Sequence, residues 1–234
     1  MIYEFIETLS AEMLGFNTNK TWALLKNIMF FNNEDIDFEN IDIAIVGVEE
    51  ERGAPCNQGT ANAPNAIRKE CYRLSSMANN LKILDLGNIK AGAELKDTYF
   101  ALKSLLSDFV ENKVFVIVLG GGQDLTISQF NAYEGKMKSL NMVVVDDCFD
   151  IDNGLANKQD YLMEIFKSEN NNLFHFTNIG YQSYFVNDQI IASMEKMKFD
   201  CYRLGHFKHN LAETEVILRD ADLISFDVSS LKQS

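Results

Sequence analysis

Seven short apolar runs, alternating with stretches of helical spacing, restrict the fold of this chain more than any other feature. They are IDIAIVGV (41–48), LKILDLGNI (81–89), KVFVIVLGGG (113–122), NMVVVDD (141–147), NLFHFTNIGY (172–181), FDCYRLGHF (199–207) and ADLISFDVS (221–229). Several are near-continuous Val, Ile and Leu, the pattern of strands covered on both faces. Between them, TYFALKSLLSDFV sets Phe100, Leu102, Leu105, Leu106 and Phe109 on one stripe at three-to-four spacing. KQDYLMEIFKSE and NDQIIASMEKM behave similarly, and Pro64 is placed to start the helix PNAIRKECYRL. Strand and helix in alternation predict βαβ units, hence an α/β fold on a mostly parallel sheet with helices on both faces. Residues 1–40 read as a helical N-terminal extension with Trp22, Leu25, Ile28 and Met29 as its buried stripe, and residues 41–234 as one α/β domain.

Composition narrows the partners. A chain of 234 residues is long enough for one substantial domain. With 47% hydrophobic and 24% charged residues, wholesale disorder is excluded. The net charge of −13 repels phosphate backbones and anionic lipids, so neither nucleic acid nor a membrane surface is an expected partner. The apolar runs are too short to span a bilayer, and MIYEFIETLSAEM has no basic region of the kind that opens a signal peptide. Cys56, Cys71, Cys148 and Cys201 are scattered without a CxxC pair, which suits reduced thiols in a cytoplasmic protein. The last strand reaches SFDVSS and the chain stops at LKQS, without the helix that ordinarily covers a final parallel strand. The expectation is therefore a domain incomplete at its C-terminus, poorly anchored after Asp227, with a second copy in a homo-oligomer able to cover an open apolar face.

In an open parallel sheet, ligands bind at the carboxyl ends of the strands. The third run delivers Gly120, Gly121, Gly122, Gln123 and Asp124 there. The fourth delivers Asp146, Asp147, Cys148, Phe149 and Asp150, and the last delivers Asp227, Ser229 and Ser230. The triple glycine matches neither phosphate-loop pattern, which counts against a nucleotide binder; taken alone it is a tight strand-to-helix turn. One acidic strand end, taken alone, is solvated turn chemistry. Asp146 and Asp150, however, are spaced so that a strand end and its turn can aim both carboxylates at one point. Asp152 extends the acidic run, and Asp227 follows the apolar LISF at another strand end. Partly buried carboxylates repel one another and need a cation, a proton or a basic group, for which Lys232 is a candidate. Cys148 among acids is a poor nucleophile. His175 reads as a strand histidine, and His206 and His209 as a solvated pair rather than metal ligands.

LGGGQDLT, VVVDDCFDID and DADLISFDVSS, in that order and spacing, resemble the signatures of the ureohydrolases, the arginase, agmatinase and formimidoylglutamase family. GTANAPNAIRKECYRL and LDLGNI resemble its early segments. The resemblance covers residues 41 to 230 and is nearest in tone to the formimidoylglutamase-like branch. It implies a three-layer α/β/α sandwich and the hydrolysis of C–N bonds in linear amidines by two manganese ions bridged by hydroxide. It also implies two further strands beyond this chain's end. Carried over position by position, the family's first histidine falls on Gln123. The aspartate that bridges both metals falls on Asp146, the central histidine on Cys148 and the next aspartate on Asp150. The second bridging aspartate falls on Asp227, and the last aspartate on Ser229. The surviving set, Asp146, Asp150 and Asp227 with Gln123, offers oxygen donors only, which suits one hard cation. The set that would use Cys148 and Ser229 is degraded. The expectation is at most one divalent cation (Mn²⁺, Mg²⁺ or Ca²⁺) or none, loss of the binuclear site, and a small amidine-type substrate or ligand. The alternative is a non-catalytic ureohydrolase-fold protein acting in ligand binding or assembly.

Overall fold

The computed structural model describes residues 2–16, 23–54, 57–76, 81–151, 161–168 and 172–231. Trp22, Cys56, Asp152 and Lys232 lie outside the described residues. The chain divides into two compact units, Met1–Tyr133 and Glu134–Ser234, each built on its own sheet.

The first unit contains β1 (Ile6–Glu7), β2 (Ile28–Phe30), β3 (Ile43–Glu49), α1 (Ala63–Cys71), β4 (Ile83–Lys90), α2 (Leu95–Glu111), β5 (Phe115–Leu119) and α3 (Thr126–Ala132). The strand order is β1-β4-β3-β5, with β2 also on β4. Only the β1–β4 pairing is antiparallel. Val46, Val48, Leu84 and Leu86 from the sheet bury against Leu102, Leu105, Leu106 and Phe109 of α2. Helix α2 starts at a capping box in which the Glu94 backbone N–H donates to Asp97 Oδ2 at 2.7 Å. Phe100 does not join the stripe predicted for it and is 68% exposed. It stands two residues from Leu102, and positions two apart do not share a helix face; Thr98 and Ala101 take the place instead.

Among the described residues, the helical N-terminal extension expected for residues 1–40 does not form. Its described residues make two short strands and short 3₁₀ turns at Ile2–Phe5, Leu24–Asn27 and Phe38–Asn40, and they belong to the first unit. Ile28 is buried while Met29 is 45% exposed, the two-residue period of a strand seated beside β4.

Behind β3 and β4 lies a buried ion pair that hydrophobic patterning gave no reason to expect. Arg68 of α1 and Asp85 of β4 are both fully buried. Arg68 donates through Nε to Asp85 Oδ2 and through Nη2 to Oδ1, each at 2.8 Å. It also donates to Asn88 Oδ1 at 2.6 Å and to the Gly87 carbonyl at 2.9 Å. Asp85 accepts further from the Tyr72 hydroxyl at 2.6 Å and from Gly87 N–H at 3.0 Å. Burial, and then the Asp85 charge, push the Tyr72 hydroxyl well above its ordinary value. Gly47 makes room for the cluster: a Cβ there would stand 2.0 Å from Asn88 Oδ1 and 2.8 Å from Arg68 Nη1.

A second charged cluster follows β3. Glu50 is 1% exposed and accepts from Arg52 N–H and Nε, both at 2.9 Å, from Arg52 Nη2 at 2.6 Å and from the Thr98 hydroxyl at 2.8 Å. Burial alone would raise its carboxyl, but these donors outweigh burial and hold it at about 2. A depressed carboxylate stabilises the fold above its unfolded value, near 4.5, and that contribution fades as pH falls towards 2. Thermal stability of the first unit is accordingly expected to fall across this window. Arg52→Met should flatten that slope and lower stability only modestly at pH 7, because Arg52 is itself exposed to solvent screening. Melting curves of both proteins between pH 2 and pH 7 check this; parallel pH profiles would contradict it.

The second unit contains β6 (Leu140–Val145), α4 (Tyr161–Lys167), β7 (Leu173–Tyr181), α5 (Asp188–Lys196), β8 (Asp200–Arg203), α6 (Leu204–His209), α7 (Leu211–Arg219) and β9 (Leu223–Phe226). Its sheet is wholly parallel in the order β8-β7-β6-β9. The strand predicted over 199–207 ends at Arg203 and continues as α6. Phe207 is buried there with Val143 and Ile179, so the anchoring residue sits a helical turn beyond the strand. Each sheet has one edge strand with an uncovered apolar side. In β5, Phe115 is 62% and Ile117 37% exposed; in β9, Ile224 is 40% and Phe226 51% exposed. For these two strands, continuous hydrophobicity did not mean cover on both faces.

Candidate metal centre

The acidic cluster of the second unit is assembled where β6 and β9, neighbours in the sheet, both end. Asp146 follows β6, and its N–H donates to the Ile179 carbonyl of β7 at 3.0 Å. Asp227 follows β9, and its N–H donates to the Val145 carbonyl at 2.9 Å. The loop after Asp146 is pinned at three points. Gln182 N–H donates to the Asp147 carbonyl at 2.8 Å, Asn178 Nδ2 to the Cys148 carbonyl at 3.3 Å, and Phe149 buries its ring 5.5 Å from that of Tyr181. With Phe149 facing the core, Cys148 and Asp150 on either side of it are left half-buried. Gly180, at φ +104, closes the approach from β7; a Cβ there would lie 3.4 Å from the Asp146 carbonyl oxygen.

Asp146 is 2% exposed. Burial, then the charges of Asp150 and Asp227, push its carboxyl up to about 8; a weak hydrogen bond from Cys148 N–H at 3.4 Å opposes this, and Asp147 adds to it least. The ligand atoms of Asp146, Asp147 and Cys148 lie within 4.8 Å of one another, with Cys148 Sγ 3.9 Å from each Asp146 oxygen. The sequence places Asp147 at this strand end but not in the expected ligand set of Asp146, Asp150, Asp227 and Gln123. Asp227 turns one oxygen to its own backbone, accepting from Ser229 N–H at 2.7 Å and capping the turn Val228–Ser230; Ser229 is exposed. Gln123 belongs to the first unit, where it is half-buried and opens the turn Gln123–Leu125. Asp124 beside it is buried, accepts from the Tyr99 hydroxyl at 2.5 Å and is raised chiefly by burial.

Tyr161 is a member that sequence reasoning missed. It is 2% exposed at the start of α4, and burial followed by the charges of Asp150 and Asp146 raises its hydroxyl well above the ordinary value, against a hydrogen bond with Ser225. In the sequence it looked like one more core residue of the stripe Tyr161, Leu162 and Ile165. The two histidines with close acidic neighbours serve elsewhere: His175 Nε2 lies 3.1 Å from Asp200 and His206 Nε2 2.7 Å from Glu213.

A buried carboxylate under the field of two others is a place where positive charge is favoured. The carboxylate donors are hard oxygens that a hard divalent cation fits, and the softer Cys148 thiol stands beside them. Among the described residues no helix is long and apolar enough to cross a membrane.

The model of the Arginase family matches residues 41–234. The formimidoylglutamase of Staphylococcus epidermidis is 24% identical over 155 residues, which take in 62% of this chain and 50% of that protein. The chain thus spans about half the length of the curated relatives it matches. A variant formiminoglutamase of Trypanosoma cruzi, solved with Mn²⁺, superposes at a TM-score of 0.75 with 20% identity, covering 90% of this chain and 76% of that one. The formimidoylglutamase of Bacillus subtilis superposes at 0.73 with 15% identity, covering 91% and 72%.

Proposed function

The chain belongs to the Arginase family, and from that premise we propose that it is formimidoylglutamase-like, binds one divalent cation and acts on linear amidines. The observation that carries the reading is the buried Asp146 with the charges of Asp150 and Asp227 bearing on it. Asp146, Asp150 and Asp227 would hold the cation, with Asp147 beside them. Such a cation supplies Lewis acidity towards a C=N group and lowers the pKa of nearby water. The chain's own part is to keep the carboxylates in place. Phe149 anchors the loop, Asn178 and Gln182 fix its carbonyls, and Tyr161 shields one side from water.

A second reading, a non-catalytic relative that keeps the fold for ligand binding or assembly, is favoured by Cys148 and Ser229. The family resemblance puts a histidine and a carboxylate at those two positions. A thiol and an exposed hydroxyl bring less ligand strength to a hard cation. Elemental analysis after dialysis against Mn²⁺, joined to assays for ammonia, formamide or urea from a panel of amidines, separates the readings. About one ion per chain with slow release supports the first, and one ion without release supports the second. Two tightly held ions with fast turnover would overturn the single-cation centre, and no bound ion would overturn the metal centre altogether.

A further inference from the structure

At the carboxyl ends of β7 and β8 and the start of α6, the second unit forms a cavity of about 510 Å³. That size suits a small organic ligand. Its charge is unlike that of the rest of the chain. Against a net charge of −13, the walls carry Arg203, Lys208 and His206 and, among the described residues, no carboxylate. The acids that bear on these groups stand outside the lining: Glu213 is paired with His206 at 2.7 Å, and the field of Asp188 reaches Arg203. Arg203 donates through Nε to the Tyr181 hydroxyl at 3.1 Å, and its guanidinium carbon stands 5.9 Å from the centre of the Tyr181 ring. That contact orients the guanidinium while its two terminal nitrogens make no hydrogen bond among the described residues. The Lys208 ammonium likewise has no ion pair or hydrogen bond among them. The walls are also rich in rings. Tyr202 and His206 lie 5.5 Å apart at 33°, and Tyr184 is 74% exposed on the same lining.

We propose that this cavity binds a small organic anion made of a flat ring bearing a carboxylate or a phosphate. The oriented guanidinium takes the oxyanion through two parallel N–H donors, Lys208 adds a second positive charge, and the ring of the ligand packs on the tyrosine faces. Its ligand contacts, Arg203, Lys208 and the tyrosine faces, differ from the carboxylates proposed to hold the cation, although Tyr181 and Gln182 of the lining also pin the metal-centre loop.

Isothermal titration calorimetry on the whole chain tests it with benzoate and phenyl phosphate as probes. Acetate and inorganic phosphate serve as ringless controls and benzamide as the uncharged one. At least one of the two ring-bearing anions is expected to bind about tenfold or more tightly than its ringless control and than benzamide, and which one binds identifies the charged group. Arg203 is exposed, so Arg203→Met should leave the fold intact while weakening binding about tenfold or more; Arg203→Lys should restore only part of it. Asp146→Asn should leave binding unchanged. Failure of both ring-bearing anions to bind would overturn the proposal. So would benzamide binding as well as benzoate, Arg203→Met binding like the unmodified chain, or loss of binding in Asp146→Asn.

Discussion

Replacing Arg68 with methionine is expected to destabilise the first unit by about 3–5 kcal/mol, the scale of a buried ion pair broken from one side. The loss comes less from the missing attraction than from what is left behind. Asp85 would remain fully buried with only the Tyr72 hydroxyl and the Gly87 N–H to satisfy it, and Asn88 would lose its 2.6 Å donor. Replacing both partners, Arg68→Met with Asp85→Leu, should recover much of the loss, because no unpaired charge then stays inside. Denaturant unfolding of the two variants separates these cases. If the single variant were as stable as the unmodified chain, or if the double variant were less stable than the single, the pair would not have the part assigned to it.

Asp146→Asn is expected to weaken divalent cation binding by about a hundredfold or more, exceeding the range for residues that only support a ligand. Without added metal the same substitution should raise the melting temperature, because a neutral amide of the same shape replaces a buried carboxylate under the field of Asp150 and Asp227. These opposite signs distinguish a cation site from a merely acidic turn. Asp147→Asn should have a smaller effect on both readouts, since Asp147 is half-buried and contributes least to the field on Asp146. Calorimetric titration with Mn²⁺ and melting in EDTA provide the measurements. Unchanged Mn²⁺ binding in Asp146→Asn would remove the metal centre from consideration.

The parallel strands were legible because a buried strand needs a run of apolar residues and little else. The seven runs correspond to β3 through β9. Their ends were legible for the same reason: a sudden block of acids after VVV marks where the sheet stops and a site can begin. The N-terminal forty residues were misread because Leu25, Ile28 and Met29 satisfy a helical spacing, while Ile28 and Met29 satisfy a strand pairing as well. Only the neighbour, β4, decides between them. The Arg68–Asp85 pair was hidden for a different reason. Nothing local distinguishes a charged residue that will be buried from one that will be solvated when its partner lies 17 positions away. Tyr161 was hidden by its hydrophobicity, since the ring that packs in the core also carries a hydroxyl that feels the charge of the acids.

The uncovered sides of β5 and β9 bear on how the molecule behaves in concentrated solution. An edge strand can template pairing with another chain, and Phe115, Ile117, Ile224 and Phe226 make such pairing sticky as well as hydrogen-bonded. The long-range repulsion of molecules that each carry −13 opposes such pairing. That repulsion shrinks to a range of about 3 Å in molar salt. Precipitation by salt should therefore set in early for this chain, and added lysine or glutamate on the two edges should delay it more than changes anywhere else on the surface.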